Sequence, residues 1–242
     1  MCLIIAAPNG GAPDMEQVMA GWRDNPDAWG IMAAHKRRLV IRRGLCTESL
    51  LAAIADIGES PWAIHFRWAT HGRTDLSNAH PFKITRSLYM MHNGVIDIDC
   101  TADPLRSDTY HYARYLQSIG VTPRNINAAE REQEIGRGNK LVFLDNTGRV
   151  TIANERAGEW VDGHWYSNTH SMRRYFTPRW NWKQYAPPNE LPDNSGEADC
   201  CDYCGAAENL TLTDNLDRLC GDCLTWEGAY ERDYEKFFAH HR

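Results

Sequence analysis

The chain contains no apolar run approaching the ~20 residues that a membrane-spanning helix needs, so no membrane span is expected. Its start lacks a basic segment followed by an apolar one, so no secretory leader is expected either. Surplus positive charge is missing as well. Twenty-six lysines and arginines face 32 aspartates and glutamates, a net charge of −6 over 242 residues. That balance excludes a protein built throughout as a non-specific nucleic-acid binder. Disulfides are not expected from the eight cysteines, because four of them fall into paired C-x-x-C units. In a cytoplasmic chain, which is the compartment these features favour, that spacing points to metal. What is present is a 43% hydrophobic fraction, enough for a real core. The length suits one domain of about 180 to 190 residues plus a small appendage.

The most informative residue is Cys2, in Met1-Cys2-Leu3-Ile4-Ile5. Removal of Met1 would give Cys2 a free α-amino group. Nucleophile and base would then share one residue, the logic used by N-terminal threonine nucleophiles. An α-amine titrates near pH ~8, close to working pH, which suits proton transfer. A cysteine at position 2 is by itself more often a small buried hydrophobe.

Three further segments change that weighting. The first is His65-Phe66-Arg67-Trp68-Ala69-Thr70-His71-Gly72, followed by Asn78-Ala79-His80-Pro81. The second is Met91-His92-Asn93-Gly94-Val95-Ile96, and the third is Ser107-Asp108-Thr109. In this order and spacing the set resembles the glutaminase domain of class II glutamine amidotransferases, which are N-terminal-nucleophile hydrolases. The glutaminase half of glucosamine-phosphate synthase is similar. The likeness covers the site-forming parts of roughly residues 2 to 170. RWATHG is the specific piece; HNG and SDT gain meaning only from their order.

Glutamine hydrolysis is acyl transfer, and the chemistry can be assigned to residues. Cys2 supplies the nucleophile and, through its amine, the proton carrier. Asn93 and the N–H of Gly94 are suited to a developing oxyanion; one such donor is worth ~3 kcal/mol of barrier. Arg67 presents a planar fork to the substrate α-carboxylate, and Asp108 can take the α-ammonium. The resemblance implies that Trp68, Thr70, His71 and Gly72 belong to a loop that closes over bound L-glutamine, excluding water. It implies no cofactor for the catalysis.

Each residue also has a plainer reading. Arg67 can be a surface ion-pair residue, and Ser107 or Asp108 a helix N-cap. Asn93-Gly94 is a common hairpin turn. The larger enzymes of the class begin Cys-Gly-Ile, whereas Leu3 follows Cys2 here. They also continue into a domain that consumes ammonia, and no such domain is expected within these 242 residues. Either ammonia is expected to pass to a separate acceptor enzyme, or the domain acts as a stand-alone amide hydrolase; nucleotide or nucleic-acid base modification is an association with small glutaminase domains of this kind, not a consequence of the motifs. The alternatives are an amide hydrolase for another substrate, or a non-catalytic interaction module of the same fold.

Along the chain, periodicity predicts strands at 2–7, 29–34, 39–41, 62–68, 88–91, 95–98, 140–144 and 150–154, and a short pair within 160–167. Helices are predicted over 14–23, from an N-cap at Thr47 through Ile57, and over 108–119. Separate runs of strands and helices give an α+β class. The resemblance implies the architecture: a four-layer αββα N-terminal-nucleophile hydrolase sandwich over residues 2–185. Residues 173–185 interleave aromatics with cations, a pattern that either stacks bases or packs its rings on a neighbour while the charges stay wet. Residues 186–199 read as a linker.

Residues 200–242 read as a zinc-ribbon-like module with a C-terminal helix. Cys201-Asp202-Tyr203-Cys204 and Cys220-Gly221-Asp222-Cys223 are 15 residues apart. Four thiolates would close a tetrahedral structural zinc site with no open position for water. Cys200 competes with Cys201, but only Cys201 gives the C-x-x-C spacing. A disulfide pair or a redox dithiol is the other reading. The acidic residues around the module argue against tight phosphate binding.

Overall fold

Strand β1 (Leu3–Ala7) is buried along its whole length in the computed structural model of the chain, which describes residues 2–55, 57–69, 72–171, 210–212 and 218–220. Both faces of β1 are apolar, and each has its own partner. Leu3, Ile5 and Ala7 face one core; Ile4 and Ala6 face another.

Helix α1 (Met15–Asp24) starts where the Asp14 carboxylate accepts from the N–H groups of Glu16 and Gln17, satisfying donors that the first turn leaves free. Strands β2 (Ala28–His35) and β3 (Arg38–Gly44) form a hairpin. Helix α2 (Thr47–Ala55) follows. Thr47 is its first residue rather than its N-cap, and its hydroxyl accepts from the Trp22 indole at 2.9 Å instead. Strands β4 (Trp62–Arg67), β5 (Phe82–Thr85) and β6 (Leu88–Asn93) precede helix α3 (Asp108–Ser118). Helix α4 (Ala128–Ile135) leads to β7 (Lys140–Asp145), β8 (Val150–Ala153), β9 (Glu159–Val161) and β10 (His164–Tyr166).

One antiparallel sheet has the order β3-β2-β4-β1-β10-β9, and a second has the order β5-β6-β7-β8. Three cores glue the layers. Leu3, Ile5, Trp29, Ile31, Trp62, Ile64 and Phe66 pack beneath Val18 and Trp22 of α1 and Leu50 and Ala53 of α2. Leu88, Met90, Leu141 and Phe143 pack beneath Tyr112, Ala113 and Leu116 of α3 and Ile135 of α4. Between the sheets lie Ile4, Ala6, Met32, Ala63, Met91, Val142, Leu144 and Trp165. The order is helices, sheet, sheet, helices. Each fully buried large side chain contributes about 1.5–3 kcal/mol, so the two central strands β1 and β4 anchor the sandwich. Gly30 lacks a Cβ where the backbone of His80 crosses β2; an added Cβ would strike the His80 carbonyl.

The predicted strand over 95–98 does not form. Those residues lie outside both sheets, and Asn93-Gly94 ends β6 rather than turning a hairpin. The N–H of Ile96 donates to the Asp108 carboxylate at 2.6 Å, so a side chain takes the place of a ladder partner. Helix α4 and strand β5 were not anticipated.

By chain contacts the protein divides into two units, Met1–Trp180 and Asn181–Arg242. In the second, β11 (Leu210–Leu212) and β12 (Arg218–Cys220) pair antiparallel, with Leu210 opposite Cys220. Residues 173–185, the 186–199 stretch, Cys200, Cys201, Cys204, Cys223 and the predicted C-terminal helix lie outside the described residues. Among the described residues no helix is long and apolar enough to cross a membrane.

Candidate active site

Strand alternation brings the candidate residues to one place. Ile4 and Ala6 face the inter-sheet core, so Cys2, one step before β1, falls on the same side. On β4, Ala63 faces inward, and His65 and Arg67 share its side. On β6, Met91 faces inward, and Asn93 shares its side. Leu3 pairs with Phe66, so continuing the register sets Cys2 opposite Arg67. The Cys2 thiol and the Arg67 guanidinium thus come from adjacent strands of one sheet, and the amide of Asn93 comes from the other.

The Cys2 sulfur is held by main chain. The N–H of Trp68 donates to Sγ at 3.3 Å, and the thiol donates to the Trp68 carbonyl at 3.4 Å. Burial pushes the thiol above its ordinary value, while the Trp68 N–H and the nearby Arg67 charge oppose that shift. The resting group is therefore a protonated thiol that needs a base. Among the described residues neither a histidine nor a carboxylate bonds to this sulfur.

Arg67 is buried, and one guanidinium N–H donates to the Arg73 carbonyl at 2.9 Å. Burial works against its charge, while Cys2, Asp27, Asp75 and Asp108 support it. Asp108 is buried at the first turn of α3, behind the N-cap Ser107, whose hydroxyl accepts from Tyr110 N–H. Its carboxylate is anchored by the N–H groups of Ile96 and Thr109. So Ser107 is the cap, and Asp108 is a buried carboxyl within electrostatic reach of Arg67.

The loop expected to close over substrate begins at Trp68, whose ring is exposed. Thr70 and His71 lie outside the described residues. Gly72 follows with φ +74°, packed against the backbone of Arg106–Ser107. Asn78 ties this loop to the start of α3. Its amide donates to the carbonyls of Arg73 and Leu105, and its carbonyl accepts from Ser107 N–H.

Several supporting residues were not visible in the sequence. Asp27, read only as a turn residue, accepts from Ala69 N–H at 2.6 Å and so holds the loop's first turn. Asn139 Oδ1 accepts from His92 Nε2 at 2.8 Å, while the Thr109 hydroxyl meets His92 Nδ1 at 2.8 Å. Ser167 and Asn168, just past β10, reach Asn93 and Cys2. The only advance signal for Ser167 is strand period: it lies two residues after the inward Trp165. His65, His80 and His92 are buried close by, with the rings of His65 and His80 3.8 Å apart. Burial drives all three toward neutrality, His65 down to about 3. Among the described residues no cluster of side chains suits a metal ion.

No protein-family model matches the sequence. Among solved structures, the chain is similar to a glutamine phosphoribosylpyrophosphate amidotransferase from B. subtilis complexed with ADP and GMP. The TM-score is 0.47 and the identity 15%, over 72% of this chain and 43% of that one. The chain thus spans less than half of that protein's length. It is also similar to a glutamine aminotransferase class-II domain protein from Silicibacter pomeroyi, with TM-score 0.35 and 12% identity, over 60% of this chain and 73% of that one.

Proposed function

We propose that the chain is a class II glutamine amidotransferase-type glutaminase with an N-terminal-nucleophile fold, and that it hydrolyses L-glutamine to glutamate and ammonia. The observation that carries this reading is the convergence on one inter-sheet site of Cys2, Arg67, Asn93 and the Trp68 loop. These residues come from segments far apart in the chain.

Met1 is removed, and the freed α-amine of Cys2 takes the thiol proton. The sulfur attacks the side-chain amide carbon of glutamine. The oxyanion is met by the Asn93 amide and the Gly94 N–H, donors fixed before the charge develops. The ammonium of Cys2 gives its proton to the departing nitrogen, ammonia leaves, and a thioester remains. Water, deprotonated by the same amine, attacks the thioester; glutamate leaves and the thiol is restored. Arg67 and Asp108 select free glutamine, because a substrate lacking either terminal charge leaves a buried partner unpaired.

Ammonia passes to a separate acceptor enzyme in the cytoplasm, and base or nucleotide modification is the chemistry we associate with it. Cys201, Cys204, Cys220 and Cys223 hold one structural zinc ion. The donor set fits, because paired thiolates at two-residue spacing suit zinc and leave no open coordination position. Zinc folds that module and takes no part in glutamine hydrolysis. Metal analysis should return one zinc per chain, with loss on replacing Cys220 and Cys223 together.

The test of function is release of both ammonia and glutamate from L-glutamine by protein whose first residue is verified as Cys2, beside Cys2→Ala. Cys2-dependent release of both products supports the reading. Turnover of a different amide with no glutamine turnover would overturn it.

A further inference from the structure

We infer that Ser167 is a positioning residue that aims the oxyanion donor Asn93, and that it acts through the Asn93 side-chain amide. The inference rests on the glutaminase reading above, in which Asn93 meets the oxyanion.

Ser167 is fully buried, one residue past β10 and on the inter-sheet side. Its hydroxyl oxygen accepts two hydrogen bonds, from Ile4 N–H at 2.8 Å and from Asn93 Nδ2 at 2.7 Å. Its own N–H donates to the Ile4 carbonyl at 2.9 Å. Ser167 is thereby locked to the strand that begins at the nucleophile. A carboxamide nitrogen carries two hydrogens. Ser167 engages one of them, which fixes the plane of the amide and so the direction of the other. The terminal torsion of asparagine is broad, and without that bond the amide is free to rotate away from the oxyanion.

The neighbouring residue completes the arrangement. Asn168 donates from Nδ2 to the Cys2 carbonyl at 2.7 Å. Two consecutive side chains therefore hold the nucleophile's own carbonyl and the oxyanion amide. One dipeptide thus bonds to both residues, tying Cys2 and the Asn93 amide together across the two sheets. Preorganised donors are effective because they need no reorientation when charge appears.

The experiment is glutamine kinetics for Ser167→Ala in the wild-type and Asn93→Ala backgrounds, alongside alkylation of Cys2 by iodoacetamide, which needs no oxyanion donor. Deleting an oxyanion donor outright costs 10²–10³ in kcat, so mis-aiming one should lower kcat by about 10- to 100-fold. KM and the alkylation rate should stay close to wild type. In the Asn93→Ala background the second substitution should cause no further loss. Unchanged kcat, a parallel fall in alkylation, or a full further loss in the Asn93→Ala background would each overturn the assignment. If Ser167→Ala does not fold, Ser167→Cys, with a similar volume and a weaker acceptor, is read against the same outcomes. If the wild-type protein does not hydrolyse glutamine, the functional reading has failed separately. The Asn93 side-chain amide signal in NMR then decides: loss of hydrogen-exchange protection in the variant supports positioning, and an unchanged signal overturns it.

Discussion

The side chain of Asn139 fills the space into which any Cβ at position 94 would project, and Gly94 itself stands at φ +141°. Asn139 cannot swing aside cheaply. It accepts from His92 and donates to the Ile135 carbonyl at 2.6 Å, both inside the core. Gly94→Ala therefore meets a backbone penalty and a collision at once. Strained backbone of this kind costs of order 1–3 kcal/mol, so a drop of several degrees in Tm is expected. If the Gly94 N–H serves the oxyanion, kcat falls by about 100-fold, one donor's worth. Thermal melts and glutamine kinetics on the same sample check both effects.

Because the Cys2 thiol is held protonated by burial, activity should require the free amine. Protein retaining Met1, or carrying any residue before Cys2, is expected to fold with wild-type Tm and to be inactive. Intact-mass spectrometry gives the processed fraction, and turnover should scale with it. Full turnover from unprocessed protein would place the base elsewhere.

Arg67→Met and Asp108→Asn should each weaken glutamine binding. Hydrogen bonds to charged groups are worth about 1.5–3 kcal/mol, so kcat/KM is expected to drop by about 10- to 150-fold. Asp108→Asn keeps an acceptor for only one of the two N–H groups that Asp108 holds, Ile96 and Thr109, and turns its NH2 against the other, so its Tm should fall by a few degrees, an effect read separately from the kinetics. The readout is steady-state kinetics with glutamine and with glutamine blocked at its α-amine. Wild type should reject the blocked substrate, and Asp108→Asn should discriminate less.

The buried histidines impose an acid limit on stability. Above pH 6.5, the ordinary histidine value, folded and unfolded chains both keep these rings neutral, and stability is fully present. Below it the unfolded chain gains protons that the folded chain refuses, at His65 down to about 3. His80 and His92 are lowered in the same direction. Stability should therefore fall as pH drops below 6.5, by up to ~1.4 kcal/mol per pH unit for each ring. Urea unfolding between pH 7 and pH 5 measures the slope. His80→Phe, which keeps a flat ring beside His65 and Phe82, should reduce it by about one ring's share.

The central strands were legible because β1, β2 and β4 are near-continuous apolar runs, buried on both faces. Residues 95–98 misled because Val95, Ile96 and Ile98 look like strand, while a hydrogen bond that holds their path goes to the side chain of Asp108, 12 residues on, which no local pattern announces. Helix α4 was missed because AAEREQEI carries almost no apolar stripe; it buries only Arg131 and Ile135. At the site, the grouped residues Arg67-Trp68, Asn93-Gly94 and Ser107-Asp108 announced themselves as short motifs. Their supports did not. Ser167 meets Asn93 across 74 residues, and Asp27 meets Ala69 across 42, each as a single polar residue with no local pattern.

Cys2 adjoins one sheet and the Asn93 amide belongs to the other, so the slab of side chains between the sheets acts as a spacer gauge for the proposed chemistry. Met91, Val142 and Trp165 set its thickness. A methylene added or removed there shifts one sheet over the other, and a reacting pair tolerates less displacement than a hydrophobic layer does. Packing changes in that slab should therefore lower Tm by a few degrees and lower turnover by more than that loss of stability explains.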